Sequence, residues 1–187
     1  MPPTEPAPAS LARNPATADD PRAVCVRSLH IMADGGFRDF EALIHPEATN
    51  REAANEPVAA RGKGPAAFYA TALWLRGAFS DLRWDVHEIV ADGDLVVVRA
   101  AMSGRHTGPV VHYDGAGAVS QVLPPTGRAF SASQSHWFRH ADGKVTEHWA
   151  DRDDLGMAGQ AGWVPPSPRY LVRMTLAKRR ARAATNA

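Results

Sequence analysis

The spacing of apolar residues changes abruptly near residue 80, and this change limits the folds available to the chain. Before it, Phe68, Ala72, Leu75 and Phe79 recur at the intervals of one helix face. After residues 80–81, apolar and polar residues alternate, as they do on a strand with one buried face. The pattern therefore predicts helices first and an antiparallel sheet second, which is an α+β fold.

Three helices are predicted in the first part of the chain. The first begins after Asp20, whose side chain can cap a helix, and ends at Gly35. The second is short and ends before His45, because the residue preceding Pro46 disfavours the helical region. The third opens at Gly64, after a polar segment that we expect to be irregular, residues 47–63.

Four strands are predicted in the second part, joined by two hairpin turns rich in Asp and Gly, residues 91–94 and 141–144. A segment rich in glycine and proline is predicted to be a loop, residues 107–127. The strands are expected at residues 82–90, 95–105, 128–140 and 145–151. Helices packed on one face of such a curved sheet would enclose a cone-shaped pocket.

The 187 residues suit one domain with tails. We expect a disordered leader rich in Pro and Ala (1–19), a folded domain (20–163), and a Pro-rich linker with a basic tail (164–187). A single cysteine, Cys25, excludes an internal disulfide and favours a reduced, cytoplasmic setting. The sequence shows neither an apolar run of about 18 residues nor the pattern of a secretory signal, so we expect no membrane partner.

The charge distribution bears on the expected partners. The net charge is +1, but residues 165–187 carry six basic residues and no acidic one. Such a tail can contact nucleic acid or an anionic surface, but a basic tail is more often a solvated helix or a frayed end. We therefore do not expect a nucleic-acid partner.

Strand alternation groups the polar residues that could carry chemistry. Gln134, His136 and Phe138 share one face of the third predicted strand, and His148 shares a face of the fourth with Ala150. Alternation alone allows either face to be buried. One choice lines a pocket with imidazoles, and the other packs Trp137 and Trp149 and exposes the histidines.

Two inward imidazoles could donate and accept protons near neutral pH. A metal held by His136, His148 and Asp153 is a conceivable alternative, but the spacing is not specific for it and we predict no metal. Asp153 could equally cap a short helix that starts near Leu155.

Several short motifs, taken together and in order, resemble the SnoaL-like polyketide cyclases (ester cyclases) of the nuclear transport factor 2-like superfamily. They lie within residues 21–162 and comprise Ile44-His45-Pro46-Glu47 with Asn50, Gly64-Pro65-Ala66-Ala67-Phe68, Ala78-Phe79-Ser80-Asp81-Leu82, Gly104-Arg105-His106-Thr107-Gly108, Pro124-Pro125-Thr126-Gly127-Arg128, Asp142-Gly143-Lys144-Val145, Glu147-His148-Trp149 and Asp153-Asp154-Leu155-Gly156.

The resemblance implies a cone of N-terminal helices against a curved antiparallel sheet, the cystatin-like fold of that superfamily. It also implies an intramolecular aldol condensation that closes a ring of an aromatic polyketide ester without a metal or organic cofactor. A carboxylate moves protons in that reaction, and polar groups hold the enolate. His136 and His148 match two histidines of the family's site.

The chain departs from the family at the catalytic aspartate. The position that matches this aspartate is occupied by Ala150. Asp151 is the next residue, but alternation sends it to the opposite face of the strand. The base is therefore expected to be His136, His148 or, as a reserve, Asp153, unless this member carries out different chemistry.

A second departure is a longer loop, residues 110–122, which could act as a lid or could be a variable surface loop. Folded inward, it would bring Tyr113 and Asp114 to the site. The side chains that we assign to substrate binding are Gln134, Phe138, Trp74, His106, Asn50 and Tyr113.

The first hypothesis is therefore a cofactor-free enzyme that uses acid/base chemistry on a small, hydrophobic, oxygenated substrate. The alternatives are an isomerase, dehydratase or hydrolase on the same fold, or a non-catalytic small-molecule binding protein. The resemblance further implies a homodimer or homotetramer.

Overall fold

The computed structural model describes residues 20–185. The predicted leader, residues 1–19, lies outside the described residues. Three helices come first, as predicted: α1 (Pro21–Asp34), α2 (Phe37–Leu43) and α3 (Gly64–Ala78). Asp20 caps α1 by accepting a hydrogen bond from the backbone N–H of Arg22 at 2.8 Å.

The start of α3 depends on the small size of Gly64. Its φ is +76°, which residues with a Cβ adopt at a cost, and a Cβ there would lie 2.3 Å from the carbonyl oxygen of Pro46. The close approach holds the beginning of α3 against the segment that follows α2.

The prediction of an irregular segment at residues 47–63 is wrong. The segment contains most of strand β1 (Ile44–Asn50) and two short 3-10 helices, Arg51–Asn55 and Val58–Arg61. The strand escaped detection because it is an edge strand that tolerates Pro46 and shows no alternating burial.

The long strands follow in the predicted order: β2 (Phe79–Asp92), β3 (Leu95–His106), β6 (Ala129–Ala141) and β7 (Lys144–Arg152). Together with β1 they form one sheet in the order β1-β7-β6-β3-β2. Every neighbouring pair is antiparallel except β1 and β7, which run parallel and place Asn50 beside His148.

The prediction of a loop at residues 107–127 is also wrong, because the segment contains a separate hairpin of β4 (Val110–Tyr113) and β5 (Val119–Leu123). Its strands are too short to show a clear alternation beside the surrounding glycines and prolines. Trp74 of α3 donates a hydrogen bond from Nε1 to the carbonyl of Val111 at 2.8 Å, which anchors the hairpin over the cone.

Two helices complete the chain, α4 (Asp154–Ala161) and α5 (Pro168–Thr185). The basic tail is therefore helical along most of its length. Its buried Tyr170 donates a hydrogen bond to the carbonyl of Pro124 at 3.0 Å, next to β5. Among the described residues, no helix is both long enough and apolar enough to cross a membrane.

The core lies between α1–α3 and the concave face of the sheet. On α2, Phe40 is completely buried and Phe37 is 42% exposed, although both rings contact Tyr69. The two phenylalanines thus differ in burial within one short helix.

We expect Phe40→Ala to lower the free energy of unfolding by about 3–5 kcal/mol, because it removes buried area and leaves a cavity. Phe37→Ala is the matched control and should cost about 1 kcal/mol or less. Urea unfolding followed by circular dichroism measures both values. Equal losses in the two variants would contradict the described packing of α2.

Candidate active site

The structure settles which face of β6 is buried. Gln134, His136 and Phe138 are 3%, 5% and 2% exposed and point towards the helices. Trp137 and Trp149 lie on the opposite face, where their rings stack with centroids 6.0 Å apart. The concave face thus carries the imidazoles, one of the two arrangements that alternation allowed.

A cavity lies between the helices and this face. Apolar atoms make up most of its exposed wall, and nine polar side chains also line it. The lining residues are Ser28, Leu29, Met32, Asn50, Glu52, Glu56, Phe68, Thr71, Trp74, Leu75, Trp84, Met102, Gln134, His136, Phe138, His148 and Arg152. Six of the predicted site residues line this cavity: Asn50, Trp74, Gln134, His136, Phe138 and His148.

A second chamber adjoins this cavity. Trp74, Met102, Gln134 and Arg152 line both chambers. The hairpin contributes His112 to the outer chamber, so the predicted loop does reach it, although with His112 rather than with Tyr113 or Asp114.

Four of the polar residues in the wall form one chain of hydrogen bonds. His136 Nε2 lies 2.7 Å from Gln134 Oε1, and His136 Nδ1 lies 3.0 Å from His148 Nε2. His148 Nδ1 in turn lies 3.0 Å from Asn50 Oδ1. All four ring nitrogens are therefore engaged by one another or by an amide oxygen.

The partners at the two ends determine where protons can sit. Gln134 Oε1 also accepts the indole N–H of Trp84 at 3.1 Å, and Asn50 Oδ1 accepts the backbone N–H of Glu52 at 3.2 Å. Both amide oxygens act as acceptors. Each of the three contacts, Gln134–His136, His136–His148 and His148–Asn50, therefore needs one proton on a ring nitrogen, which makes three protons on the two rings. Two neutral imidazoles supply only two protons.

A third proton would make one of the two imidazoles a cation, and burial disfavours this. A cation in this cavity would lose several kcal/mol of solvation, whereas one more hydrogen bond contributes about 1–3 kcal/mol. Burial lowers the pKa of His136 to about 3, with the positive charge of Arg152 acting in the same direction. Burial, His136 and Arg152 hold the pKa of His148 well below its usual 6.5.

The neutral pair has three possible proton arrangements, and each leaves one of the three contacts without a proton. With protons on His136 Nε2 and His148 Nε2, the contact without a proton is the one to Asn50. With protons on both Nδ1 atoms instead, the contact without a proton is the one to Gln134. Uptake of a proton at His148 Nδ1 and loss of one from His136 Nε2 would convert the first arrangement into the second without net charge. Both atoms contact amide oxygens, so a substrate has to displace Gln134 or Asn50 to use them.

Two glutamates in the cavity were missed by sequence reasoning. Glu52 accepts the backbone N–H of Ala150 at 3.2 Å and forms an ion pair with Arg152 at 3.2 Å. Glu56 is 5% exposed and accepts a hydrogen bond from the hydroxyl of Thr71 at 2.5 Å. Both come from the first 3-10 helix and the residue after it, in the segment that showed no recognisable pattern.

The structure places Asp153 outside the cavity, contrary to its prediction as a reserve base. Its side chain accepts the backbone N–H of Gly156 at 2.8 Å and caps α4 at the surface, which was the alternative interpretation. Asp151 also faces away, and it accepts the indole N–H of Trp137 at 3.0 Å. In the described part of the chain, no group of three His, Cys, Asp or Glu side chains is placed to hold a metal ion.

His106 and Tyr113, predicted to bind substrate, also lie away from the cavity. His106 is completely buried at the end of β3, where its Nδ1 accepts the indole N–H of Trp163 at 3.1 Å. Tyr113 pairs with Val119 in the hairpin. Asp114 accepts two backbone N–H groups of the hairpin turn, so this loop does not fold its acidic group inward.

Helices that cover one face of a curved sheet and enclose a cavity against it define the class of nuclear transport factor 2-like folds. The profile of the SnoaL-like polyketide cyclases matches residues 24–161, and the chain belongs to this family. It is 35% identical to the aklanonic acid methyl ester cyclase DnrD of Streptomyces peucetius over 76% of this chain and 90% of that protein. The nogalonic acid methyl ester cyclase of Streptomyces nogalater is 32% identical over 63% of this chain and 80% of its own length.

Solved structures agree on the fold. TsrD from Streptomyces laurentii is 27% identical with a TM-score of 0.60, covering 74% of this chain and 92% of its own. A protein described as SnoaL-like from Jannaschia sp. CCS1 has a TM-score of 0.62 at 22% identity, covering 84% of this chain and all of its own.

The neutral state of His136 makes stability depend on pH. The unfolded chain binds a proton on this ring near pH 6.5, but the folded chain binds it only near pH 3, since burial lowers the pKa to about 3. The stability contributed by the neutral ring is therefore present above pH 6.5 and is lost as the pH falls from 6.5 towards 3.

We expect His136→Gln, which places a non-titrating amide on β6, to reduce the slope of unfolding free energy against pH. Between about pH 6 and pH 5 the reduction should approach 1.4 kcal/mol per pH unit. Urea unfolding at a series of pH values measures the slope. Identical slopes in the wild type and the variant would show that His136 is protonated in the folded state.

Proposed function

We propose that this chain catalyses a cyclase-type ring closure by acid/base chemistry, without a cofactor, on a hydrophobic, oxygenated substrate such as an aromatic polyketide ester. The observation that carries this proposal is the hydrogen-bonded chain of Asn50, His148, His136 and Gln134 in the wall of the cavity. Membership of the polyketide cyclase family supports it.

The wall of the cavity suits the substrate class. Apolar and aromatic side chains such as Phe68, Trp74 and Phe138 offer flat surfaces to an aromatic ring. The polar side chains of the wall offer hydrogen-bonding groups to the carbonyl and hydroxyl oxygens of the substrate. Such an arrangement binds the substrate by its rings and orients it by its oxygens.

The imidazole pair can assist at the oxygen on which negative charge develops. When a carbonyl of the substrate is attacked, its oxygen needs a hydrogen-bond donor and then a proton. When the substrate oxygen takes the place of Gln134 Oε1 at His136 Nε2, this N–H donates to it and then transfers its proton, while His148 takes up another. A neutral imidazole can polarise a carbonyl in this way because its N–H remains a donor.

The direct test is turnover of a panel of polyketide methyl esters, with mass spectrometry of the products for ring closure with or without loss of water. We expect His136→Ala to lower kcat by about 100-fold or more, because it breaks the proton chain in the middle. His87→Ala, at an exposed histidine on β2, is the matched control and should retain wild-type activity.

Full activity in His136→Ala would remove the imidazole pair from the reaction. Tight binding of the esters by a wild type that never converts them would favour a small-molecule binding protein instead. Quenching of the fluorescence of Trp74 and Trp84, which line the cavity, reports binding in either case.

A further inference from the structure

The proposed ring closure also needs a base for the carbon acid, and the imidazole pair is poorly suited to that role. Its pKa values lie far below those of ordinary histidines, because a buried cation is costly. Strand β7 places no carboxylate beside His136 on the concave face, because the residue paired with His136 is Ala150. The base must therefore come from another element around the cavity.

Glu56 is an unusual residue for a cavity wall. No other carboxylate within residues 20–185 is as buried, and in that part of the chain Glu56 forms no ion pair. Burying a carboxylate is expensive unless it is paired, and a glutamine in this place could keep the contact with Thr71. A purely structural role does not explain why the residue is an acid.

Hydrogen bonds hold Glu56 in one place and leave one carboxyl oxygen free. Its Oε2 accepts the hydroxyl of Thr71 at 2.5 Å, while Oε1 has no hydrogen-bond partner among the described residues. Arg61 donates from Nε to the backbone carbonyl of Glu56 at 3.0 Å and from Nη1 to the carbonyl of Asp114 at 2.7 Å. The segment that carries Glu56 is thereby tied to the tip of the hairpin.

The neighbouring carboxylate, Glu52, is engaged differently. Both of its oxygens have partners, the backbone N–H of Ala150 and the guanidinium of Arg152. It can orient Arg152 and the end of β7, but it offers no comparably free oxygen. Of the two glutamates in the cavity, Glu56 has the geometry of a proton acceptor.

We infer that Glu56 is the general base of the site and removes a proton from the carbon next to a carbonyl of the substrate; this assignment rests on the proposed function. The C–H bond breaks, its proton goes to Oε1 of Glu56, and its electron pair forms the enolate. The enolate carbon then bonds to a second carbonyl carbon, whose oxygen takes a proton from the imidazole pair. The pair takes up a proton from solvent as it gives this one, so it stays neutral. Glu56 releases its proton to solvent, and substrate and product are isomers.

The electrostatic surroundings fit this assignment. Burial raises the pKa of Glu56 and makes its carboxylate a stronger base, and the negative charge of Glu52 acts in the same direction. The hydroxyl of Thr71 and the charges of Arg152 and Arg61 oppose the shift. With burial lowering the pKa values of both imidazoles, a proton released in the cavity is held by Glu56 rather than by the histidines.

The test compares Glu56→Gln with Glu88→Gln, an exposed glutamate on β2, in the ester turnover assay. We expect Glu56→Gln to lower kcat by about 100-fold or more with KM changed less than about threefold, because the amide keeps the shape and loses the base. Glu88→Gln should match the wild type. Quenching of tryptophan fluorescence by a hydroxyanthraquinone ester verifies that each variant is folded and binds.

The pH profile supplies a second measurement if Glu56→Gln fails to fold. The wild-type rate should rise with pH as Glu56 loses its proton, and Thr71→Val should move that rise to higher pH, because it removes a donor that favours the carboxylate. An unmoved profile in Thr71→Val would overturn the assignment.

The outcomes separate the two proposals. An active wild type with an equally active Glu56→Gln, or with the loss confined to Glu52→Gln, overturns the role of Glu56 and leaves the cyclase function standing. A wild type that closes no ring in the panel overturns the proposed function and the base assignment together.

Discussion

The arrangement of the cavity follows from the pairing of β6 with β7. Once Gln134 and His136 face the helices, their polar atoms need partners, because an unpaired buried donor or acceptor costs about 1–3 kcal/mol. The register supplies these partners by setting Phe138 opposite His148 and His136 opposite Ala150. A slip of β7 by one residue against β6 would bring Trp149 inward and send His148 to the opposite face. The hydrogen-bonded pair and the sheet register therefore depend on each other.

A second dependence links this chain to the edge of the sheet. Asn50 reaches His148 because β1 runs parallel to β7, and the 3-10 helix that follows immediately turns Glu52 and Glu56 into the same cavity. The chain thus uses one irregular segment to provide an amide for orientation and two carboxylates with different surroundings. One glutamate is held by Arg152, and the other keeps a free oxygen. Different surroundings for two like groups are what separates their chemical roles.

Periodicity predicted the parts of the fold that repeat. The stripe on α3 and the alternation on the four long strands are long enough to show in the sequence, and the structure has each of these elements. Edge strand β1 and the β4–β5 hairpin were missed because each is short, interrupted by Pro or Gly, and stabilised by contacts distant in sequence. The bond from Trp74 to Val111 spans 37 positions, which no local pattern reveals.

The residues of the site divide in the same way. The sequence by itself determined the α+β order, the family, and the common face of Gln134, His136 and Phe138, because these follow from local alternation and from motifs. Only the tertiary structure decided that this face is the concave one, that Asp153 caps a helix, and that His106 lies beyond the cavity. It also brought in Glu52 and Glu56. Burial and long-range pairing set these outcomes, and both depend on where distant segments meet rather than on the identity of neighbours along the chain.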